Sequence, residues 1–259
     1  MDRGSFKDRF TKVHVFTAAT GRFQLELNQA APSLVVRDED VPSSSSSDTE
    51  TGAVDELGTG TTVWRGGLQL ARLLTVPSSS LSIPSLSHLI RNKRVLELGS
   101  GTGLAGLAAG GAGASSLLLT DLPPVLPLLR SNVSRNSFIQ TMQGCPVSVS
   151  ALEWGPGAAP PGIDVILAAD CCYHARHAAP LSRTVVDAMT RDDGPAERAV
   201  LSCERHDPLA HAELKRLLRA SPDLQVSTLW ESEDGRVEVI GVARRGTETT
   251  ERCAKKQKR

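Results

Sequence analysis

The sequence is poor in aromatic residues, which make up 3% of its 259 residues and include one tyrosine, Tyr173. Because 40% of the residues are hydrophobic, a sizeable core is still possible, and we expect it to consist mainly of Leu, Val, Ala and Ile. No apolar run approaches the roughly 20 residues that span a bilayer, and the opening segment MDRGSFKDRF does not resemble a signal peptide. These absences predict a protein without a membrane segment.

The chain also lacks an excess of charge and a cysteine framework. It has 29 basic and 29 acidic residues, so a formal net charge of zero offers no global attraction to nucleic acid or to an acidic membrane. We therefore expect no nucleic-acid partner. Its five cysteines form no CxxC pair, which is typical of reduced proteins inside the cell. The predicted location is the cytoplasm, with the nucleus as a further possibility.

Three regions differ in composition. Alternating apolar residues in KVHVFTAAT and FQLELNQ, on either side of Gly21, predict an N-terminal hairpin. The polar stretch VPSSSSSDTETG follows it and is interpreted as a spacer or insertion. We predict a hairpin and Ser-rich loop over residues 1–60, a main domain over 61–245 and a disordered basic tail over 246–259.

From Lys93 onward, apolar strand patterns such as RVLELG and SLLLTD alternate with helical patterns. This alternation predicts an α/β fold with a mostly parallel sheet and helices on both faces. The last two segments, LQVSTLW and RVEVIGVAR, have the pattern of an antiparallel pair. One antiparallel strand is therefore expected at or near the edge of the sheet.

A glycine-rich loop, ELGSGTG, follows the first core strand and precedes a helix. Glycines at 99, 101 and 103 allow a tight turn and let the backbone approach a ligand at the helix N-terminus. The next strand ends in Asp121, which can accept hydrogen bonds from both hydroxyls of an adenosine ribose. A helix cap is the structural alternative for Asp121.

The acidic residue before the loop, Glu97, separates two classes of cofactor. A carboxylate beside the pyrophosphate of a dinucleotide would face like charge in a partly desolvated cleft. S-adenosylmethionine has no phosphate and carries two cationic groups, an ammonium and a sulfonium. The sequence therefore favours S-adenosylmethionine over NAD, and the absence of a GxxxxGK[ST] motif argues against a nucleoside triphosphatase.

Five segments occur in an informative order: VWRGGLQLARLL, RVLELGSGTGLAGLAA, LLLTDLPPVLPLLRSNVSRN, ALEWG and IDVILAADCCY. Together they resemble the methyltransferase-like lysine methyltransferases of the seven-β-strand class. The resemblance implies a class I, Rossmann-like methyltransferase fold with a seven-stranded, mostly parallel sheet, one antiparallel strand and a hairpin extension at the N-terminus. It implies transfer of a methyl group from S-adenosylmethionine to a lysine of a partner protein. That partner is expected to be a chaperone, an AAA ATPase or a translation factor, and the enzyme a monomer.

The resemblance also assigns residues by position. Asp170 and Tyr173 match a D-x-x-Y motif, in which the acid holds the incoming ammonium and the ring forms a wall of the lysine channel. Trp64 borders the methionine end of the cofactor and Trp154 the adenine ring. The complete set of implied cofactor-binding residues is Trp64, Glu97, Gly99, Ser100, Gly101, Asp121, Trp154 and Ala169.

The adjacent Cys171 and Cys172 pose a choice between a thiol site and a packing role. Since they occupy the two variable positions of the D-x-x-Y motif, we expect them to pack behind the acceptor channel. His174 and His177 have a spacing that can bind a metal, but no third ligand is evident, and no metal site is predicted. The segment SCERHD follows a strand end, where Glu204 or Arg205 serves either substrate contact or a cap and ion pair.

Other interpretations stay open. The acceptor could be an arginine, a histidine or a small molecule, or the fold could serve as a non-catalytic binding module. Asn132 and Asn136 are expected to cap or pack around their helix. The Ser-rich stretch and the segment PSSSLSIPSLS are both expected to flank the substrate entrance.

Overall fold

The computed structural model describes residues 13–29, 60–80 and 83–246, and within them nine strands form a hairpin and a large sheet. The strands are β1 (Val13–Thr17), β2 (Gln24–Asn28), β3 (Arg94–Leu98), β4 (Ser116–Asp121), β5 (Val147–Ala151), β6 (Val165–Ala169), β7 (Arg198–Glu204), β8 (Leu224–Glu231) and β9 (Val237–Arg244). β1 and β2 pair antiparallel, which confirms the predicted hairpin.

The large sheet has the strand order β5-β4-β3-β6-β7-β9-β8. β3 to β7 run parallel, whereas β9 runs antiparallel to both of its neighbours, β7 and β8. The predicted seven-stranded sheet with one antiparallel strand is confirmed, and that strand is second from the edge. Because both faces of the central strands are buried, β6 is apolar along its whole length and β3 is apolar apart from Arg94 at its exposed start and the buried Glu97.

Helices cover both faces of the sheet. They are α1 (Arg65–Thr75), α2 (Ser87–Ile90), α3 (Leu104–Gly111), α4 (Leu126–Arg135), α5 (Phe138–Thr141), α6 (Ala175–Thr190) and α7 (Pro208–Ala220), with a short 3-10 turn at Pro123–Val125. The first five pack with the hairpin on one face, and α6 and α7 pack on the other. The amphipathic pattern of α1 explains its placement, since Leu70, Leu73 and Leu74 point into the core.

The hairpin packs on the main domain as part of one hydrophobic core. Phe16, Leu25 and Leu27 alternate with exposed residues along the two strands and are buried in the same apolar cluster as α1 and α3. Phe23 extends this contact toward α5, with its ring centroid 6.0 Å from that of Phe138. The period of two in the sequence thus places one face of the hairpin inside and leaves the other exposed.

One expectation about the loops is wrong. The segment after α1 lies at the amino ends of the parallel strands, where Pro84 and Leu86 share a groove with Arg198, the first residue of β7. It cannot flank an entrance at the carboxyl ends, because α1 carries the chain from one end of the sheet to the other. The Ser-rich stretch and the basic tail after Gly246 lie outside the described residues, so those predictions remain predictions.

Within the described ranges, no helix has the length and apolar character needed to cross a membrane.

Candidate cofactor and acceptor site

A cavity of about 480 Å³ opens at the carboxyl ends of β3, β4 and β6. This is the end of a parallel α/β sheet where ligands bind, because the loops that follow the strands converge there. All ten site residues predicted from the sequence line this cavity: Trp64, Glu97, Gly99, Ser100, Gly101, Asp121, Trp154, Ala169, Asp170 and Tyr173. The structure brings the predicted set together, and the role of each member remains a prediction.

The glycine loop passes close to its neighbours at two positions. Gly99 has φ +61°, and a Cβ there would lie 2.9 Å from the Trp154 ring and 2.7 Å from the Cys171 sulfur. Gly101 has φ +53°, and its Cβ would lie 3.0 Å from the carbonyl oxygen of Gly60. A side chain at either position would be strained by its backbone angle and crowded by the wall opposite, so glycine keeps the loop closed around the cavity.

Ser100 fixes this loop to β4 rather than pointing freely into the cavity. Its amide donates to the Thr120 carbonyl at 2.9 Å, and its hydroxyl accepts from the Thr120 amide at 3.1 Å. The side chain therefore positions the loop, whatever it also contacts in a bound ligand.

Glu97 is 2% exposed, and one of its carboxylate oxygens has no partner in the described part of the chain. Its Oε1 accepts from the amide of Gly106 in the first turn of α3 at 3.0 Å, while Oε2 has no hydrogen-bond donor among the described residues. Burial raises the pKa of this carboxyl to about 8, against the hydrogen bonds that favour its ionised form. Glu97 lines the cavity, so a positive ligand group beside it would favour the ionised form of its carboxyl.

Asp121 receives two backbone hydrogen bonds. Its Oδ2 accepts from the Gly101 amide at 2.7 Å and its Oδ1 from the Leu122 amide at 2.8 Å. It does not cap the 3-10 turn or α4, whose N-terminal residues have no side-chain cap. Burial raises its pKa, and the two amides oppose that shift. Since each carboxylate oxygen has a second lone pair, the ribose interaction predicted for Asp121 stays available.

Aromatic rings line two sides of the cavity. Trp154 lies against the glycine loop, and Trp64 immediately precedes α1. The Trp64 ring meets the ring of His206 edge to face, with 5.9 Å between centroids. Ala169 forms part of the wall between them, 3.8 Å from a Cβ built on Gly67.

Asp170 adopts φ +55°, which is uncommon for a residue other than glycine. Its Oδ2 accepts from the Gly67 amide at 3.1 Å and its Oδ1 from the Glu204 amide at 2.7 Å. Burial raises its pKa to about 6, and these amide donors oppose the shift. The acid therefore joins the start of α1 to the end of β7, in addition to any contact with substrate.

The glycine pair in VWRGG is explained by this arrangement. A Cβ on Gly66 would overlap the Asp170 carboxylate, and the Gly67 amide is one of its donors. The signal was present in the sequence as two glycines that interrupt a helical pattern. Its meaning could not be deduced, because the acid that approaches them lies about a hundred residues away in the chain.

Three histidines, His174, His177 and His206, line the cavity beside Tyr173 and Trp64. The Tyr173 ring lies 5.1 Å from the ring of His174 and 4.4 Å from that of His177. His206 was missed by sequence reasoning. Its Nε2 lies 3.0 Å from Glu204 Oε2, and the segment SCERHD after β7 was the available signal.

Cys171 and Cys172 are buried as expected. The Cys171 thiol donates to the Leu98 carbonyl at 3.1 Å and the Cys172 thiol to the Ala210 carbonyl at 3.4 Å. Burial raises the pKa of Cys172 to about 12 and that of Cys171 well above its ordinary value, so both thiols stay protonated at neutral pH. In the part of the chain that the structure describes, no group of three His, Cys, Asp or Glu side chains could hold a metal ion.

The family model described as lysine methyltransferase matches residues 48–213. This chain belongs to the lysine methyltransferase family. The match extends from before Trp64 into α7 and thus includes all ten cavity residues predicted from the sequence.

Individual relatives of this chain match over shorter ranges. Protein N-lysine methyltransferase METTL21A of Danio rerio is 36% identical over 120 residues, which is 45% of this chain and 50% of that protein. Protein-lysine N-methyltransferase EFM6 of Saccharomyces cerevisiae is 29% identical over 145 residues, which is 51% of this chain and 59% of that protein. The chain thus spans about half the length of these curated relatives. A solved methyltransferase structure from Pyrococcus furiosus, at 18% identity and a TM-score of 0.47, covers 61% of this chain and 77% of that chain, a likeness too distant to bear on function.

Proposed function

We propose that this protein transfers a methyl group from S-adenosylmethionine to the side-chain amine of a lysine in another protein. The observation that carries the proposal is one cavity that is lined by Glu97, Asp170 and Tyr173 together. Donor and acceptor are both cationic, and this cavity has an acid for each of them, the buried Glu97 and the half-buried Asp170. Membership of the lysine methyltransferase family supports the choice of acceptor.

The cavity fits the methyl donor in size and in the chemistry of its lining. Its volume of about 480 Å³ suits a ligand of nucleoside size. Glu97 would face the ammonium, Asp121 the ribose hydroxyls and Trp154 the adenine ring. When bound, S-adenosylmethionine supplies an electrophilic methyl group on a sulfonium.

The acceptor side provides positioning. Asp170 can hold the lysine ammonium as it enters, and the Tyr173 ring can flank the aliphatic chain and the cation. In-line attack by the neutral amine forms a C–N bond while the S–C bond breaks, so alignment supplies most of the rate. Overall the acceptor loses one proton, and this proton must leave the cavity.

We assign His206 as the acceptor of that proton. It lies at the cavity wall beside Trp64, its side chain is 42% exposed, and Glu204 Oε2 lies 3.0 Å from its Nε2. Histidine is the side chain that exchanges protons most readily near neutral pH. In this route a proton taken from the lysine passes to His206 and then to solvent.

Replacing His206 tests this route. H206Q is expected to lower methylation about 100-fold at pH 7, as loss of a general base does. The loss should shrink toward pH 10, where the lysine loses its proton without help. Wild-type and H206Q pH profiles that run parallel would exclude His206 as the proton acceptor.

We also propose that the acceptor is a chaperone, an AAA ATPase or a translation factor, and that the enzyme acts as a monomer in the cytoplasm or nucleus. Two relatives support a protein acceptor by name: EEF1A lysine methyltransferase 3 of Xenopus tropicalis and calmodulin-lysine N-methyltransferase of Arabidopsis thaliana. The four described cysteines are free thiols, which suits a reducing compartment.

The decisive experiment incubates the purified protein with radiolabelled S-adenosylmethionine and a cell lysate, and identifies the labelled band and residue by mass spectrometry. A labelled lysine is expected. Y173L is the matched control, because it removes the channel ring without disturbing the backbone contacts that Asp170 makes. Label on arginine, histidine or a small molecule would change the acceptor, and absence of label would overturn the proposed activity.

A further inference from the structure

A buried asparagine of α4 connects the N-terminal hairpin to the glycine loop. Asn132 is fully buried, and its Oδ1 accepts from the Asn28 amide at 2.7 Å. Its Nδ2 donates to the Asn28 carbonyl at 3.1 Å and to the Thr102 carbonyl at 2.9 Å. One side chain thus pairs with β2 as a neighbouring strand would and also holds the backbone of the loop.

The Thr102 carbonyl, which accepts from Asn132, belongs to a loop residue that lines the cavity. Thr102 is 3% exposed and lies between Gly101 and Gly103, both of which have positive φ. Glycine-flanked backbone has many accessible conformations, so a buried external hydrogen bond selects one of them. The bond from Asn132 therefore holds the loop in the shape that lines the cavity.

The hairpin reaches the opposite side of the cavity through a second contact. Gln29, the residue after β2, is 6% exposed, and its Oε1 accepts from the Val63 amide at 2.7 Å. Val63 is followed directly by Trp64, which lines the cavity. Asn28 and Gln29 are adjacent in the chain, so one end of β2 supports both the glycine loop and the tryptophan wall.

The same helix supplies an internal control. Asn136, which follows α4, accepts from the Glu26 amide at 3.0 Å and donates to the Glu26 carbonyl at 2.8 Å. Its side-chain Nδ2 also donates to the Asn132 carbonyl at 2.7 Å. It therefore holds β2 in the same way, two residues earlier, but its hydrogen bonds do not reach the glycine loop.

We propose that Asn132 is a positioning residue for the methyl donor, through which docking of the N-terminal hairpin sets the conformation of the cofactor loop. The ligand follows from the function proposed above. Because coupling between sites is reciprocal, a ligand that favours the ordered loop also favours the docked hairpin. The hairpin is then part of the cofactor site, although neither of its strands lines the cavity.

The first test compares N132A with N136A by calorimetric titration with S-adenosylhomocysteine. Both variants lose buried hydrogen bonds to β2, and both are expected to unfold at lower temperature. N132A is expected to bind S-adenosylhomocysteine about ten-fold or more weakly than wild type, whereas N136A stays within about two-fold. Equal affinities for the two variants would overturn the proposal.

The second test needs no variant and remains decisive if N132A does not fold. Hydrogen exchange of the wild-type protein is measured by mass spectrometry with and without S-adenosylhomocysteine. Peptides covering residues 24–29 and 60–64 are expected to exchange more slowly with ligand, while peptides of β8 are unchanged. If S-adenosylhomocysteine slowed exchange only in peptides that line the cavity and not in the peptide over residues 24–29, coupling to the hairpin would be contradicted.

These tests separate this inference from the proposed function. Wild type that binds S-adenosylhomocysteine but labels no lysine would overturn the activity and leave the coupling intact. Labelled lysine together with equal affinities of N132A and N136A would overturn only the coupling. No binding by wild type would overturn both.

Discussion

Two buried glutamates on the same sheet have opposite surroundings. Glu97 on β3 is 2% exposed and Glu238 on β9 is 1% exposed. The Glu238 carboxylate accepts from Lys215 Nζ at 2.7 Å and from Arg205 Nη2 at 2.8 Å, as well as from the hydroxyl of Thr228. The Glu97 carboxylate has one backbone donor, and one of its oxygens has none among the described residues.

The difference appears in their protonation. Burial raises the pKa of both carboxyls, but the donors around Glu238 outweigh burial and lower its pKa to about 2. The pKa of Glu97 rises to about 8 because its hydrogen bonds do not compensate for desolvation. Equal burial therefore does not mean equal role. Glu238 is satisfied by the protein and joins α7 to the last two strands, whereas one oxygen of Glu97 has no donor among the described residues.

The largest expected effect comes from E97Q, which keeps the shape and removes the charge. S-adenosylhomocysteine should bind about 100-fold more weakly, since a buried charge-assisted contact is lost. The ligand-free variant should melt at the same temperature as wild type or higher at neutral pH, because wild-type Glu97 must take up a proton when the chain folds and glutamine need not. Calorimetry and thermal denaturation measure the two quantities. Unchanged affinity would remove Glu97 from the site.

The matching change at the other acid, E238Q, should act on stability instead. Lys215 and Arg205 lose a buried counter-charge, and the free energy of unfolding is expected to fall by about 2–3 kcal/mol. This is below the value for a fully enclosed pair, because the Arg205 side chain is 29% exposed. Affinity for S-adenosylhomocysteine, measured on the folded variant, should stay within about three-fold of wild type. A large loss of affinity would mean that Glu238 is coupled to the cavity.

The two acids also predict opposite pH slopes for the ligand-free protein. The Glu97 pKa is raised from 4.5 to about 8, so its contribution to stability is lost as pH rises through that range. The Glu238 pKa is lowered from 4.5 to about 2, so its contribution is lost as pH falls through that range. Melting temperatures from pH 2 to 9 should show the decline between about pH 4.5 and 8 flattened in E97Q and the decline below about pH 4.5 flattened in E238Q. The same slopes in wild type and both variants would contradict the assignment.

The smallest effect is expected from C171A. Its thiol is buried and protonated behind the glycine loop, so the change removes one packed sulfur and costs about 1–2 kcal/mol of stability. Methylation of the labelled acceptor should remain within about three-fold of wild type. Loss of activity in a variant that binds S-adenosylhomocysteine normally would restore the cysteine as a catalytic candidate.

Much of the site was predictable because its parts are local in the chain. The glycine loop, Glu97 before it and Asp121 after the next strand are adjacent to strand ends, and parallel strands bring their carboxyl ends to one edge. The contacts of Asp170, Asn132 and Glu238 were not predictable in this way. Each of them depends on a partner more than 20 residues away whose direction is set by packing.

The expectation that Asn132 and Asn136 cap or pack around their helix illustrates the limit. Asparagine is a common capping residue, and nothing near these two positions in the sequence indicates a strand. Only the docking of β2 against α4 turns them into a substitute for a neighbouring strand. The wrong expectation that the segment after α1 flanks the substrate entrance has a similar cause. The length of α1 is visible in the sequence, but its direction across the sheet is not.

By itself the sequence determined the elements of this protein and which residues could meet at one end of the sheet, because periodicity, glycine placement and the rules of parallel connection are local physics. Only the tertiary structure decided that the pKa of the buried Glu238 is lowered while the pKa of the buried Glu97 is raised. That outcome depends on desolvation and on donors from distant segments, and these exist only once the chain has folded.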